Sequence, residues 1–265
     1  MLSYPSSMSV SSRALNMLAE ALRHERRARR TRWRRLEAGQ QALLVLAHLR
    51  KGETYADLAG GFGIGLATVF RYVREALDVL AAMAASLDEA IEIAQRKAFV
   101  IIDGTLLRTD RVGMTGGRDR PFYSGKQKRH GLNVQVLADP AGRLIWTSPA
   151  LPGARHDMGA AREHGLLTAL EVAEVRVIAD SAYRGTGANV DVPHRRPQRD
   201  PDTGERHRRL SANEKAVNSA HARLRGPGER ANAQLKSWKV LRKIRSSPRR
   251  ATRLVDAVRS VIHAS

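Results

Sequence analysis

The feature that most limits what this chain can fold into is a change of pattern near Gln95. Residues 36–95 are rich in Ala and Leu, poor in Pro, and read as successive helices. From Ala98 onward the pattern turns to short β-like runs separated by Gly and Pro. The run from Ala98 to Asp103 reads as a fully buried strand bounded by Gly104. Leu132–Ala138 alternates apolar and polar positions, turns at 139–142, and returns through Leu144–Thr147 as a hairpin. A helix is expected over about Met158–Leu170, a strand over Glu174–Ala179 ending at Asp180, and a weak strand over Val190–Val192. Helices are then expected over Ser211–Leu224 and Pro227–Ile244. That order implies an α/β sheet with helices packed on it. A chain of 265 residues has room for this division: a basic extension at 1–35, a helical domain at 36–95 and an α/β domain at 96–265.

Charge narrows the partner. Forty-six Lys and Arg against twenty-six Asp and Glu give +20, a surface that calls for a polyanion, most commonly nucleic acid. The absence of Cys excludes a disulfide scaffold, a thiol nucleophile and Cys-ligated zinc or iron–sulfur centres. The longest apolar stretches fall far short of the ~20 residues of a spanning helix, and the N-terminus shows no signal peptide. The expectation is a soluble, cytoplasmic polyanion binder with no membrane partner.

Residues 54–73 have the spacing of a helix-turn-helix. Ala59 lets the first helix approach the second, Gly63 takes the turn, and Val69 packs back. Thr54 is the expected N-cap, with Asp57 in the first turn. The second helix should present Thr68, Arg71, Tyr72 and Arg74 to a major groove and its flanking phosphates. The Arg-dense stretch Arg23–Arg35 reads equally as a solvated helix face or a phosphate clamp. Lys126, Lys128 and Arg129, in the Gly- and Arg-rich loop 109–131, either touch DNA or are solvated. The tract His194–Arg209 is a basic loop.

In so basic a chain, acids at strand ends stand out. Asp103 and Asp180 each close a strand, and carboxylates at the ends of neighbouring strands can converge. Glu229 lies in the last helical region, seven residues before Lys236 and on the same face. Leu235, Trp238 and Leu241 fall on the other face, and Trp238 is expected in the core. Three hard oxygen ligands suit Mg²⁺ or Mn²⁺, and two such ions can activate a water and stabilise a leaving oxygen at a phosphodiester. Arg225 and Lys236 would hold DNA phosphates. Asp157 is expected to cap the helix beginning near Met158, in preference to binding metal, and His156 to be a structural, hydrogen-bonding residue.

These pieces carry a resemblance. Residues 102–105 (Ile-Asp-Gly-Thr), His156-Asp157, residues 178–185 and residues 229–238 resemble, in order, the motifs of insertion-sequence transposases of the DDE superfamily, the bacterial group often called "IS five". The helix-turn-helix also looks like that group's N-terminal domain, and the likeness spans about Leu36 to Ile244. Arg225, Glu229 and Lys236 keep the spacing of a family signature, with Ala222 where the family has Tyr. The resemblance implies a ribonuclease H-like catalytic domain with the acidic triad Asp103, Asp180 and Glu229. It implies a transposase that binds the terminal inverted repeats of its element and performs metal-dependent cleavage and strand transfer into target DNA, as a homo-oligomer on double-stranded DNA with two Mg²⁺ or Mn²⁺ ions. Two alternatives stay open: a ribonuclease H-fold nuclease without strand transfer, and a decayed transposase acting as a DNA-binding protein.

Overall fold

Five helices come first in the computed structural model, which describes residues 9–31, 33–109, 119–195, 203 and 209–265. They are α1 (Ser12–Ala28), α2 (Ala38–Lys51), α3 (Tyr55–Phe62), α4 (Leu66–Ala82) and α5 (Leu87–Gln95). The stretch expected as a basic extension contains a folded helix. Ser11 caps α1 by accepting from the Ala14 backbone, and Ala14, Leu18, Ala19 and Leu22 form a buried stripe against α2 and α4. Burying each of those leucines stabilises the helix by roughly 1.5–3 kcal/mol. Its opposite face carries the arginines, and Arg23 and Arg27 both pair with Glu20.

The α/β part is one mixed sheet. Its strands are β1 (Val100–Arg108), β2 (Tyr123–Ser124), β3 (Arg129–Ala138), β4 (Leu144–Thr147), β5 (Leu151–Pro152), β6 (Val177–Ile178) and β7 (Val190–Asp191). The order is β2-β3-β1-β6-β7, with β4 and β5 also paired to β3. β1 runs antiparallel to β3 and parallel to β6, and β6 runs parallel to β7. Helices α6 (Asp157–Glu163), α7 (Leu166–Val172), α8 (Ala212–Arg225), α9 (Gly228–Lys236) and α10 (Pro248–His263) complete the chain. An all-helical region followed by a mixed sheet of this kind is the expected helix-turn-helix domain and ribonuclease H-like α/β domain.

Two apolar cores sandwich the sheet. Ile102, Val177 and Ala179 face a core with Ala90 and Ala94 of α5, Ala161 of α6 and Leu166 and Leu170 of α7. Ile101, Leu107 and Ile178 face the other core, which runs through Ala231 and Leu235 of α9 and Val255 and Val258 of α10 to Leu44, Leu49 and Leu80 of the N-terminal helices. Helix α10 packs along α4 and against β4, so it joins the helical region to the sheet. Ser260 donates across this seam to the Leu80 carbonyl, and buried Arg259 donates to that of Ala85.

Four sequence expectations change. β1 continues to Arg108, so Asp103 lies within a strand and does not end it: Gly104 pairs with Gln135 and the ladder carries on. The single helix expected after Asp157 is two, because Gly165 takes a left-handed φ of 67° between them. The helix expected to reach Ile244 stops at Lys236, and Trp238 and Leu241 pack into the core from the irregular segment beyond it. Helix α10 was not foreseen. Most of the basic tract His194–Arg209, Arg32 of the Arg-dense stretch, and residues 110–118 of the loop 109–131 lie outside the described residues.

Candidate active site

Three elements bring the acids together. Asp103 projects from the middle of β1, where Ile101 pairs with Ile178 of the parallel β6. Asp180 stands two residues past the end of β6, its carboxylate accepting from the Ala182 backbone at 2.8 Å as it caps the short helical turn Ser181–Tyr183. Glu229 lies in the first turn of α9, which crosses β1 closely enough that a Cβ on Gly228 would sit 2.7 Å from Ile101 Cγ2. Gly228 thus serves a close crossing, and Pro227 is the N-cap residue of the new helix.

Asp103 is the most constrained of the three. Its carboxylate accepts from Asn232 Nδ2 at 2.8 Å and from the Gly104 backbone at 3.0 Å, and Arg225 Nη1 lies 4.0 Å away. Burial pushes the Asp103 carboxyl up to about 6, with Glu229 adding repulsion, Arg225 opposing, and Asp180 and Asp157 adding further. Glu229 is 62% exposed and accepts from Arg225 Nη1 at 3.4 Å. Arg225 therefore stands between Asp103 and Glu229, and is engaged by carboxylates in this arrangement.

The fourth acid of this region is Asp157, which corrects the expectation of a cap. Helix α6 begins at Asp157 itself, His156 is the N-cap residue, and neither side chain makes a capping hydrogen bond. The Asp157 carboxylate accepts from Asn133 Nδ2 at 2.9 Å and Lys126 Nζ at 3.1 Å. Lys126 Nζ is also 3.9 Å from Asp180. Burial works against the Lys126 charge, but Asp157, Asp180 and Asp103 outweigh it and hold the ammonium above its usual value. Exposed His156 makes no hydrogen bond through its ring among the described residues, so it is not the structural bonding residue expected.

The donor set fits a hard divalent cation. Carboxylates from β1, the end of β6, α6 and α9 lie close enough that Glu229, Asp180 and Asp157 add to the burial that raises Asp103. Asn232 Oδ1, buried beside Asp103, has no partner among the described residues. As they stand, no three His, Asp or Glu side chains among the described residues form a single-ion cluster. Two tethered cations, Arg225 and Lys126, instead each span a pair of acids.

In the helical region, Thr54 caps α3 and accepts from the Asp57 backbone, Gly63 turns with a φ of 63°, and Val69 is buried. Arg71 and Arg74 are exposed, and Arg71 donates to Thr68 at 3.3 Å. Tyr72 does not face outward. It is 4% exposed, and its hydroxyl accepts from the backbones of Arg35 and Leu36. Arg34 pairs with Glu75 and lies 5.7 Å over the Tyr72 ring. Between this region and the segment after α9 runs a groove of about 860 Å³, lined in part by Arg74, Arg242, Lys243, Arg250 and Arg253. Arg242 also lines a second cavity, of about 340 Å³, with Arg108 and exposed Lys236. The sequence reading singled out only Arg74 and Lys236 of these.

Comparison with known proteins gives the class, an endonuclease of the DDE type. Residues 102–262 match the DDE superfamily endonuclease model, and residues 34–86 match the helix-turn-helix of DDE superfamily endonuclease. The chain is 32% identical over 215 residues to a proposed transposase for insertion sequence element IS112 of Streptomyces albus G, covering 77% of this chain and 71% of that protein. No solved structure matches. The chain belongs to the insertion-sequence DDE transposases. The matches do not reach the "IS five" group within them. Both matched domains are of DNA-handling kinds, and the endonuclease superfamily works with divalent metal ions. No helix among the described residues is long and apolar enough to cross a membrane.

Proposed function

We propose that the protein binds the terminal inverted repeats of its own insertion sequence, hydrolyses one strand at each end, and joins the freed 3′-hydroxyl to target DNA by attack on a target phosphodiester, whose own 3′-oxygen leaves. The observation that carries this reading is that Asp103 of β1 lies close enough to Glu229 of α9 and to Asp180, just past β6, to feel both charges, in a chain that also holds a helix-turn-helix. Thr68, Arg71 and Arg74 on α4 contact the repeat, and Tyr72 supports α4 from inside. The basic groove from Arg74 through Arg250 to Arg242, and on to Lys236, carries the DNA backbone towards the acids.

Asp103, Asp180 and Glu229 hold two Mg²⁺ or Mn²⁺ ions. When bound, these supply neutralisation of the phosphodiester charge and activation of the attacking water. Asn232 fixes the Asp103 carboxylate through its 2.8 Å hydrogen bond. When the acids are otherwise neutralised, Arg225 is released from Asp103 and Glu229 to hold a phosphate, with Lys236 beside it. Synapsis of two ends requires more than one copy of the chain on DNA, in the cytoplasm at the nucleoid.

The test uses a labelled duplex containing the element's end, with Mg²⁺ or Mn²⁺ against EDTA, and wild type beside Glu229→Gln. The reading expects metal-dependent cleavage at the end by the wild type alone, with DNA binding retained in both. Binding with no cleavage by either protein would make the chain a DNA-binding relic.

A further inference from the structure

A buried chain of hydrogen bonds ends on Asp157. The Tyr183 hydroxyl donates to Gln135 Oε1, Gln135 Nε2 donates to Asn133 Oδ1 at 2.8 Å, and Asn133 Nδ2 donates to Asp157 Oδ1 at 2.9 Å. Tyr183 and Gln135 are 0% exposed and Asn133 6%. Gln135 and Asn133 are two apart on β3 and so point to one face of the sheet. Three polar side chains buried there are costly unless each is satisfied, and Asn133 Nδ2, which also donates to the Arg155 carbonyl at 2.9 Å, sets the direction of the chain. The phenol gives to an amide oxygen, each amide nitrogen then faces onward, and the last position takes an acceptor. An ionised carboxylate has no proton to conflict with that order.

The backbone is shaped to the same end. Gly104, beside Asp103 and opposite Gln135, faces Asp157: a Cβ there would lie 2.0 Å from Asp157 Oδ1. Asp103 points to the α9 side of β1 and Asp157 comes in from the α6 side. The other oxygen of Asp157 meets Lys126 Nζ, which reaches Asp180 as well. A positive charge therefore already spans Asp157 and Asp180, on a side chain that is 68% exposed and free to swing away.

We propose that Asp157 is a fourth carboxylate of the acidic centre, pairing with Asp180 to take a divalent cation at the place that Lys126 Nζ marks. Asn133, Gln135 and Tyr183 are positioning residues that aim it. Lys126 is the tethered cation that the divalent ion displaces. This rests on the reading of Asp103, Asp180 and Glu229 as metal carboxylates, and adds a residue to it.

The test is Mn²⁺ titration of the full chain without DNA, with free Mn²⁺ read by its electron paramagnetic resonance signal. Asp157→Asn should weaken Mn²⁺ binding at least tenfold. Tyr183→Phe should weaken it several-fold at unchanged circular dichroism, less than the about 10–100-fold common for a ligand's direct partner because Tyr183 stands three hydrogen bonds away. Lys126→Ala should tighten it, because a competing charge is gone. Asp103→Asn serves as the control for the centre itself. Wild-type affinity in Asp157→Asn and Lys126→Ala, with loss in Asp103→Asn, overturns the proposal and leaves the triad standing. Wild-type affinity in Asp103→Asn as well overturns the triad. Should Asp157→Asn fail to fold, Lys126→Ala decides, and unchanged or weaker Mn²⁺ binding in it counts against the proposal.

Discussion

Replacing Asp103 with Asn should make the metal-free protein more stable near neutral pH. The Asp103 carboxyl is raised from 3.8 to about 6, first by burial and then by Glu229. A carboxyl whose native value lies above its unfolded value stabilises the fold only while protonated. That contribution is complete below pH 3.8 and lost as the pH climbs through 6. At ~1.4 kcal/mol for each tenfold, the interval from 3.8 to about 6 amounts to about 3 kcal/mol of destabilisation above pH 7. The Asp103 side chain is 18% exposed, so solvent does not screen most of this away. The introduced amide escapes the penalty, and it keeps a partner. Asn232, whose Oδ1 is unpartnered among the described residues, can turn over and accept from the new Nδ2. Thermal melts at pH 8 in EDTA should place Asp103→Asn roughly 6–12 °C above wild type, at ~2–4 °C per kcal/mol for a chain of this size. Most of that advantage should be gone at pH 4, and added Mn²⁺ should raise the wild type more than the variant. A variant that melts below wild type at pH 8, or an advantage that does not change with pH, would refute the reasoning.

Other outcomes follow from the same geometry. Tyr72→Phe removes the hydroxyl that serves the Arg35 and Leu36 backbones; it should cost about 1–3 kcal/mol in denaturant unfolding and leave DNA affinity unchanged. Arg71→Ala, at an exposed position, should leave the melting temperature unchanged, weaken duplex binding, and reduce the slope of log affinity against log salt by about 1 in a filter-binding series. In Gly104→Ala the new methyl would stand 2.0 Å from Asp157 Oδ1 and 2.3 Å from its Cγ, so Asp157 must move. End cleavage should fall more than about tenfold, the rate change of ~1.4 kcal/mol in the barrier, while duplex binding persists.

The sequence disclosed those elements whose signals are local. The helix-turn-helix was legible because Thr54, Gly63 and Val69 each have a local task in capping, turning and packing. The β3–β4 hairpin was legible from alternation and its 139–142 turn, and register then put Asp180 beside Asp103. Tyr72 was misread although its signal was present: Val69, Tyr72, Val73, Ala76 and Leu80 form one helical stripe, and that stripe is the buried one. Helix α10 also carried a signal, with Pro248 at its start and Ala251, Val255, Val258 and Ile262 along one face; the arginines between them obscured it. In α1 the Arg-dense end masks the apolar spacing of Leu18 and Leu22 in the same way. Asp157 is different in kind. Nothing near it in sequence reports that Gly104, 53 residues earlier, leaves room for its carboxylate, or that Asn133 and Lys126 hold it. Such a position is fixed by contacts between distant segments, which composition and period do not encode.

The central claim is that one acidic centre both cuts and joins DNA ends, and a joining assay addresses it most directly. A duplex of the element's end, already cut to expose its 3′-hydroxyl, would be incubated with the protein, Mn²⁺ and a supercoiled plasmid, and labelled joined product measured. Joined product from the wild type, lost in Asp180→Asn at equal DNA binding, is the result this account predicts. Cleavage of uncut ends with no joining at any metal concentration would contradict it, and would make the protein a nuclease of the same fold.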